Sequence, residues 1–238
     1  MYQIHLNKSV LFEDYEIQSL YNDTIYMEIC SEHLLRALKS ALQATNIEMR
    51  LKQTDLPYLS LAIESRTKTG KRIVMTHDIP VCVLAPELAS AQLEEPVISN
   101  PIVNVVMPDL LKIKQTVDGI RHISKCITIS ANRRGALNFS VTSNLVEISC
   151  HYRDLINPVP DTIDETELEC SLPSEDFVTV SCDVKDLSKI LMCHLVNPTN
   201  VICCFVSAED GIVFYAHIGE QDSDQAAMIS YHVPVKWE

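Results

Sequence analysis

The amino-acid sequence predicts an α+β protein with two tandem domains, each a curved antiparallel sheet with its helices on one face. Three observations favour this class: an internal repeat, many short strand-like segments and three amphipathic helices. The repeat relates Thr24–Leu84 to Phe177–Trp237. At an offset of 153 residues, leucine aligns with leucine and a basic residue with a basic residue: Leu34, Leu38, Leu42 and Arg36 with Leu187, Leu191, Leu195 and Lys189. One structural unit is therefore used twice.

The repeat also sets the predicted domain boundaries. Residues 1–84 form the first domain, residues 101–238 form the second, and Ala85–Asn100 is the connector between them. Nothing in the first half matches Pro101–Gly135, which has the pattern of a strand, a helix and a strand. The first domain is therefore expected to be incomplete by about one strand–helix–strand unit.

Strands dominate the chain, because alternating or β-branched runs recur along it. The predicted strands are Tyr2–Leu6, Val10–Ile17, Thr24–Ile29, Ile47–Leu51, Tyr58–Ile63, Arg72–Leu84, Ile102–Met107, Cys126–Ser130, Leu137–Val141, Leu145–Tyr152, Phe177–Cys182, Val201–Val206, Ile212–His217 and Ala227–Val235. Arg134-Gly135 and Asp210-Gly211 are predicted hairpin turns, because glycine readily adopts the positive φ that such turns require.

Three helices with one apolar stripe each are predicted at Ser31–Thr45, Asp109–Ser124 and Asp183–Val196. Ser31 and Asp183 are the expected N-caps of the first and third. The side chains expected to be buried are Leu34, Leu38, Ala41 and Leu42; Leu110, Ile113, Val117 and Ile120; and Leu187, Ile190, Leu191 and Leu195. A single stripe means that each helix lies on a sheet and keeps its other face free.

The net charge of −13 is unevenly distributed along the chain. Ile156–Val184 holds eight acids and no lysine or arginine, whereas Arg36–Arg72 and Lys112–Arg153 hold 15 of the 19 basic residues. This distribution is compatible with a basic inner surface on an acidic body. The acidic, proline-containing stretch Leu155–Asp176 is predicted to be a mobile loop that joins the halves of the second domain.

The polar faces of the helices carry many of these cations. A rotation of about 100° per residue brings them opposite the apolar stripes. The first helix carries Arg36 and Lys39 there, and the third carries Lys185 and Lys189. On the second helix the centre of the polar face is Gln115, Asp118 and His122, and the cations on either side of it are Lys112, Lys114, Arg121 and Lys125. One interpretation is an ordinary solvated helix surface. The other is a shared surface that meets phosphates without sequence specificity.

No catalytic residue, cofactor or metal site is predicted. The sequence lacks GxSxG, P-loop, HExxH and EF-hand motifs. His77 and Asp78 are neighbours in a strand, so their side chains point to opposite faces, and Cys193-His194 lies on a core-facing helix. The nine cysteines form no CxxC pair and are expected to be reduced and mostly buried. No apolar run approaches the ~20 residues that a membrane helix needs, so a soluble intracellular protein is expected.

Two long strands offer a binding function instead. If Arg72–Leu84 or Leu145–Tyr152 is a sheet edge, its unpaired backbone groups could recruit another chain. If either strand is internal, its role is structural. The sequence pattern leaves both readings open.

Five segments carry a resemblance to a known family: IYMEICSEHLLRALKSA (25–41), RIVMTHDIPV (72–81), LEEPV (93–97), HYRDLINP (151–158) and LVNPT (195–199). They occur in order over nearly the whole chain, and THDIP and HLLRALK are the most specific. The tandem domains resemble the sliding-clamp fold of proliferating cell nuclear antigen. The segments resemble more closely the Hus-one family, the Hus subunit of the nine-one-one checkpoint clamp.

This resemblance implies a noncatalytic subunit of a heterotrimeric ring that encircles double-stranded DNA in the nucleus and acts in DNA damage signalling and repair. It implies Rad-nine-type and Rad-one-type subunits as partners, with a clamp loader and repair factors as further candidates. It assigns the helices to the lining of the hole, with candidate DNA-facing residues Arg36, Lys39, Lys112, Lys114, Arg121, Lys125 and Lys189.

The resemblance also places the two long strands at opposite subunit interfaces. The candidate interface residues are Met75, Thr76, His77, Val81, Val146, Ile148 and Cys150. The family's first domain opens with a strand, a helix and a strand that this sequence lacks, which agrees with the gap in the internal repeat. Two alternatives to the clamp remain: a repeat-built adaptor that pairs through sheet edges without touching DNA, and, more remotely, an enzyme such as a cysteine hydrolase.

Overall fold

Three antiparallel sheets form the framework of the computed structural model, which describes residues 2–6, 8–67, 69–93, 100–143, 145–158, 175–207, 211–219 and 227–236. The chain divides into two units. The small unit is Glu16–Pro96, and the large unit combines Met1–Tyr15 with Val97–Glu238. The predicted fold class, α+β with antiparallel sheets and helices packed on them, is confirmed.

The elements follow one another in the order β1 (Tyr2–Leu6), α1 (Lys8–Leu11), β2 (Tyr26–Ile29), α2 (Ser31–Ser40), β3 (Asn46–Gln53), β4 (Pro57–Arg66), β5 (Arg72–Leu84), α3 (Pro86–Leu93), β6 (Val103–Val106), α4 (Leu110–Ile120), β7 (Cys126–Ala131), β8 (Leu137–Thr142), β9 (Glu147–Tyr152), β10 (Val178–Asp183), α5 (Val184–Ile190), a 3-10 helix (Leu191–Val196), β11 (Asn200–Ser207), β12 (Gly211–Ile218) and β13 (Ala227–Val233).

The large unit contains two sheets, with strand orders β10-β7-β8-β9 and β1-β13-β12-β11-β6. The strands of the first sheet alternate between buried and partly exposed residues, as in Cys126–Ala131, so one face turns to the core. Helix α4 packs against α5 and the 3-10 helix. A single apolar cluster, which includes Phe139, Phe205 and Phe214, joins both sheets and both helices.

The small unit contains one sheet, with the order β2-β5-β4-β3. Helix α2 lies against β5. The buried cluster is correspondingly small, and its members are Ala37, Leu59, Leu61, Ile79 and Val81. The two copies of the repeat therefore differ greatly in the size of the core that they build.

The amino-terminal segment differs from its predicted organisation. Strand β1 pairs with β13, from Tyr2 opposite Tyr231 to Leu6 opposite Ala227, and so belongs to the large unit. The sequence had assigned it to the first domain. The predicted strand Val10–Ile17 is wrong, because α1 covers its beginning and the rest has no regular structure. The exposed Glu13 and Asp14 interrupt its apolar alternation, so the segment has no face to bury.

The helix ends follow local hydrogen bonding. Asp183 is confirmed as an N-cap, because its carboxylate accepts a bond of 2.8 Å from the backbone N–H of Lys185. Asp109 caps α4 in the same way through the N–H of Leu111, at 3.0 Å. The prediction for Ser31 is wrong: the N-cap is Cys30, whose side chain makes no capping bond.

The apolar stripes are buried in the large unit, except at Leu195, and largely open in the small one. Burial is confirmed for Ile113, Val117, Ile120, Leu187, Ile190 and Leu191 in the large unit and for Ala41 in the small one. It is wrong for Leu38, Leu42 and Leu195, which are 43%, 84% and 65% exposed. Leu34 and Leu110 are partly buried. A repeated sequence pattern has thus produced two different environments.

Two loops bear on the site. The predicted connector Ala85–Asn100 contains α3, and residues 94–99 lie outside the described part. Of the predicted mobile loop Leu155–Asp176, residues 159–174 lie outside the described part, whereas its first residues are fixed: Leu155 donates a backbone bond to Gly135, and the Asn157 amide donates to Asn104. Gly135 has φ +74, and a Cβ there would meet the Leu155 carbonyl oxygen at 2.1 Å, so this turn requires glycine.

Candidate nucleic-acid interface

An open depression lies between α4 and α5 on the large unit, with a volume of about 490 Å³. Its lining is Lys114, Asp118, Arg121, His122, Lys185, Ser188, Lys189 and Met192. It therefore holds four basic side chains and a single carboxylate. The helix periodicity of α4 and α5 brings these residues to one side, because their apolar stripes face the core.

Asp118 is held by bonds within the protein. Its carboxylate accepts a bond of 2.5 Å from Lys114 Nζ and another of 2.7 Å from the Ser188 hydroxyl. The bond from Lys114, followed by that from Ser188 and the charges of Lys114 and Arg121, lowers the pKa of Asp118. Asp118 thus links α4 to α5, and its charge is balanced by Lys114, whose side chain is only 17% exposed.

The other basic groups are more accessible. Lys189 Nζ lies 3.0 Å from Asp186, and its side chain is 73% exposed. Lys112 Nζ lies 3.6 Å from Asp109 at the start of α4. Exposed pairs of this kind contribute little to stability, about 0–1 kcal/mol. Such cations can exchange a surface carboxylate for a phosphate at small cost.

The structure brings together three of the predicted DNA-facing residues of the large unit: Lys114, Arg121 and Lys189 line the depression. Lys112 and Lys125 are exposed near the two ends of α4 but are not part of its lining. The predicted set omitted Lys185 and His122. The i,i+4 spacing of Lys185 and Lys189 could have identified the first of them.

Arg36 and Lys39 lie on the small unit and are exposed on α2. In the repeat, Arg36 occupies the position of Lys189, and Lys39 that of Met192. The cationic position of α5 therefore has a counterpart on α2. The DNA-facing roles of all seven residues stay predictions.

The predicted interface strands are both edge strands over most of their length. Within the described residues, Arg72–Pro80 of β5 pairs with β4 alone, and the last four residues of β5 pair with β2. Strand β9 pairs with β8 and ends its sheet. Each strand therefore leaves a row of backbone groups available to a further strand.

The candidate interface side chains have different surroundings. Met75, Thr76 and Val146 are exposed. The His77 ring nitrogen Nε2 donates to the Ser40 hydroxyl at 2.8 Å, since that hydroxyl itself donates to the Ala37 carbonyl. The remaining three side chains turn towards the protein interior: Val81 in the small core, and Ile148 and Cys150 against the large one. Any contact made by Ile148 and Cys150 would run mainly through the backbone, whereas Val81 lies in the stretch of β5 that already pairs with β2.

Several described cysteines of the large unit are buried thiols. Burial raises the pKa of Cys193 to about 11 and the pKa values of Cys182 and Cys204 to about 12. His194, beside Cys193 in sequence, donates from Nδ1 to the Leu191 carbonyl at 2.7 Å. The expectation of buried cysteines is wrong for Cys30 and Cys82, which are exposed.

The described residues contain neither a cluster of metal ligands nor a membrane-spanning helix. No group of three or more histidine, cysteine or acidic residues there could hold a metal ion. Among the helices described, none has the length and apolar character needed to cross a membrane.

The duplicated sheet-and-helix pattern defines a protein of the clamp-like fold class. The family model described as Hus1-like protein matches residues 2–236, and the chain belongs to this family. It is similar to "Checkpoint protein HUS1" of Homo sapiens, with 32% identity over 85% of this chain and 71% of the relative. It is also similar to "Checkpoint protein hus1" of Schizosaccharomyces pombe, with 30% identity over 96% and 80%, and to "Checkpoint protein hus1 homolog" of Dictyostelium discoideum, with 27% identity over 97% and 79%.

Proposed function

We propose that this chain is a noncatalytic checkpoint protein that acts as one subunit of a heterotrimeric, DNA-encircling clamp in the nucleus. Membership of the Hus1-like family and the printed names of the relatives support the checkpoint role. The observation that carries the DNA contact is the cationic depression between α4 and α5.

The chemistry of the depression suits a phosphate backbone rather than a base edge. Its cations belong to flexible lysines and one arginine on exposed helix faces, which can follow phosphates without fixing a sequence. The acidic remainder of the chain, with a net charge of −13 overall, would repel DNA from other surfaces. Binding by such a surface is weak, nonspecific and strongly dependent on salt.

The two edge strands support assembly with further subunits. Strands β5 and β9 each have a free edge among the described residues, so each can extend its sheet across a subunit boundary. We infer that Rad-nine-type and Rad-one-type subunits pair there, and that a clamp loader and repair factors act on the assembled ring. The noncatalytic role fits the raised pKa values of the buried thiols.

The test uses the chain co-expressed with the two sister subunits. Retention of the complex on closed circular DNA is measured over a range of salt concentrations for the wild type and for the triple variant R121E, K185E and K189E. We expect the variant to be lost at lower salt and the slope of log affinity against log salt to fall by about 0.9 for each phosphate contact removed. A matched control reverses Lys71, which lies at the β4–β5 turn and is exposed.

A second function, that of a protein-binding adaptor, is supported by one specific observation. The free edges of β5 and β9 would serve equally well in an adaptor that binds only proteins. The adaptor predicts that the complex forms but that the triple variant and the wild type behave alike on DNA. That result would reject the DNA-facing assignment, whereas failure of the subunits to associate would reject the clamp.

A further inference from the structure

The β4–β5 hairpin ends in a basic stretch that is separate from the cationic depression. Residues 65–72 hold four basic residues and no acid, in a chain whose net charge is −13. The turn is closed by local bonds: the Thr67 N–H donates to the Lys71 carbonyl and the Gly70 N–H to the Thr67 carbonyl, both at 2.9 Å. The Thr67 hydroxyl accepts a further bond of 3.0 Å from the Lys71 N–H. The two strands therefore meet the turn in a fixed register.

The last residue of β4 and the first residue of β5 are arginines that lie directly opposite each other, Arg66 and Arg72. Opposite residues of an antiparallel pair have Cβ atoms about 4.5–5.5 Å apart, and like charges there destabilise the pairing. Glu64 offsets part of this cost, because its carboxylate lies 2.7 Å from Nε of Arg72. Among the described residues, no ion pair is found for Arg66. One positive charge of the pair therefore has no counter-charge in the described part of the chain.

Both arginines point away from helix α2. Successive residues of a strand alternate between two faces, and Leu61 of β4 packs in the small core with Ala37 of α2. Arg66 lies an odd number of residues from Leu61, so it belongs to the opposite face, and its partner Arg72 shares that face. Both are exposed, and the side chain of Arg72 is 69% exposed. The pair is thus separate from the cations of α2 and from the backbone edge of β5.

The chemistry of this pair suits a phosphate group. A guanidinium presents parallel N–H donors that can bond two oxygens of one phosphate. A phosphomonoester has three terminal oxygens and a charge of about −1.5 to −2 at neutral pH, so it can bond both arginines and balance both charges. A carboxylate has two oxygens and a single charge, and it can do this for one arginine only, as Glu64 does for Arg72.

The surroundings of the pair favour a single phosphate over the row of phosphates on a nucleic acid. The same face of the sheet carries the carboxylates of Glu48, Glu64 and Asp78, which would repel the neighbouring phosphates of a duplex. It also carries Val74, which is two residues from Arg72 and 55% exposed. In an extended peptide, residues two apart share a face. An apolar residue two positions from a phosphorylated one would therefore cover Val74.

We propose that Arg66 and Arg72 form a docking site for a phosphorylated serine or threonine in an extended segment of a partner protein, with a neighbouring apolar residue on Val74. Arginine clusters recognise phosphorylated motifs in this way. Glu64 holds Arg72 from one side, and the closed turn keeps the two arginines opposite each other before the partner binds. The site does not depend on the clamp or on the cationic depression.

The probe is a peptide of sequence Gly-Ala-Val-Ala-phosphoserine-Ala-Val-Ala-Gly, blocked at both ends, which carries valine two positions to either side of the phosphate. The whole 238-residue chain is titrated with it by calorimetry. We expect saturable one-to-one binding. The peptide with unmodified serine, and the peptide with glutamate at that position, should each bind at least about tenfold more weakly, because neither offers a dianion to both arginines.

Two variants of the site complete the test. Arg66→Gln and Arg72→Gln should each weaken binding of the phosphopeptide at least about tenfold. The matched control is Lys71→Gln, which removes the same charge next to Arg72 in sequence but on the other face of the hairpin, and it should bind within about threefold of the wild type. Because Arg66 lies opposite a like charge, R66Q should not lower the denaturant midpoint of the chain, so its loss of binding is separated from unfolding.

Four results would overturn the proposal. One is equal binding of the phosphorylated and unmodified peptides, and another is equal binding by the wild type, R66Q and R72Q. A glutamate peptide that binds as tightly as the phosphopeptide would make the site a receptor for acidic segments instead. Short duplex DNA that displaces the phosphopeptide from the wild type, and that binds R66Q more weakly, would make a nucleic acid the occupant.

Discussion

The two copies of the repeat show how far a sequence pattern can be separated from the environment that it occupies. Helix α5 with its 3-10 extension and strand β11 in the large unit match α2 and β3 in the small unit, residue by residue. The large copy buries Leu187 and Leu191, whereas their counterparts Leu34 and Leu38 in the small copy are partly buried and 43% exposed. Leu42 and its counterpart Leu195 are exposed in both copies. Amphipathic periodicity therefore indicates which face of a helix can be buried. Whether that face is buried depends on the presence of a covering element.

The largest expected effect comes from one substitution made at both repeat positions. Leu191→Ala should lower the free energy of unfolding of the large unit by about 2–5 kcal/mol, because it leaves a cavity in a closed core. Leu38→Ala should change the small unit by about 0.5 kcal/mol or less, because that side chain already meets solvent. Hydrogen exchange measured separately on β11 and β4 reports each unit.

Equal costs at the two positions would contradict this contrast. They would mean that the exposed side of α2 is covered in solution.

The fold could be predicted well where the two copies agree. The strand Arg72–Leu84 was predicted with both of its ends, because thirteen residues of β-rich sequence lie between turn-forming neighbours. The helix stripes of α4 and α5 were assigned correctly, because each of these helices is covered by the other. Leu38 was not, because the identity of the covering element is not encoded in α2 itself. Leu42 and its counterpart Leu195 were wrong in both copies, since both are exposed. The segment Val10–Ile17 failed for a related reason: β propensity gives a strand only where a sheet face is available.

The next effect concerns the link between α4 and α5, which has no counterpart among the described residues of the small unit. Asp118→Asn should cost the large unit about 1–3 kcal/mol, because it removes the carboxylate charge from two bonds, one from Lys114, whose side chain is 17% exposed, and one from Ser188. The control D186N breaks the exposed pair with Lys189 and should cost no more than about 1 kcal/mol. Denaturant titration of both variants at neutral pH measures the difference.

The carboxylates of Asp118 and Asp183 make the stability of the large unit depend on pH in the acid range. The pKa values of Asp118 and Asp183 lie below the usual 3.8, the first mainly through Lys114 and the second mainly through the N–H of Lys185. A folded-state pKa below the unfolded one stabilises the protein above pH 3.8, and this stabilisation is lost as the pH falls towards the folded value. The large unit should therefore weaken below about pH 4, and D118N should weaken less steeply. An identical acid slope for D118N and the wild type would argue against this link.

The candidate site was predictable only in part, because some of its contacts are local to one helix and others join two helices. Helical periodicity identified Arg121 and Lys189 as outward-facing cations, because it depends only on local geometry. It could not reveal that Asp118 also accepts a bond from Ser188, which lies seventy residues further along the chain. The strand pattern likewise could not show that Ile148 and Cys150 turn their side chains to the core while the backbone of the same strand has a free edge.

The smallest effect, on thiol reactivity, tests the contrast without any mutation. Cys30 and Cys82 of the small unit are exposed and should react with a thiol reagent in the folded protein. Cys182 and Cys204 of the large unit are buried, and burial raises the pKa of each to about 12. At pH 8 their thiolate fraction alone should slow the reaction about a thousandfold relative to an ordinary thiol. Mass spectrometry after brief alkylation locates the modified residues.

Rapid labelling of Cys182 or Cys204 in the native state would mean that the large core opens readily. Protection of Cys30 and Cys82 would mean that the small unit is covered, which would remove the difference between the two copies.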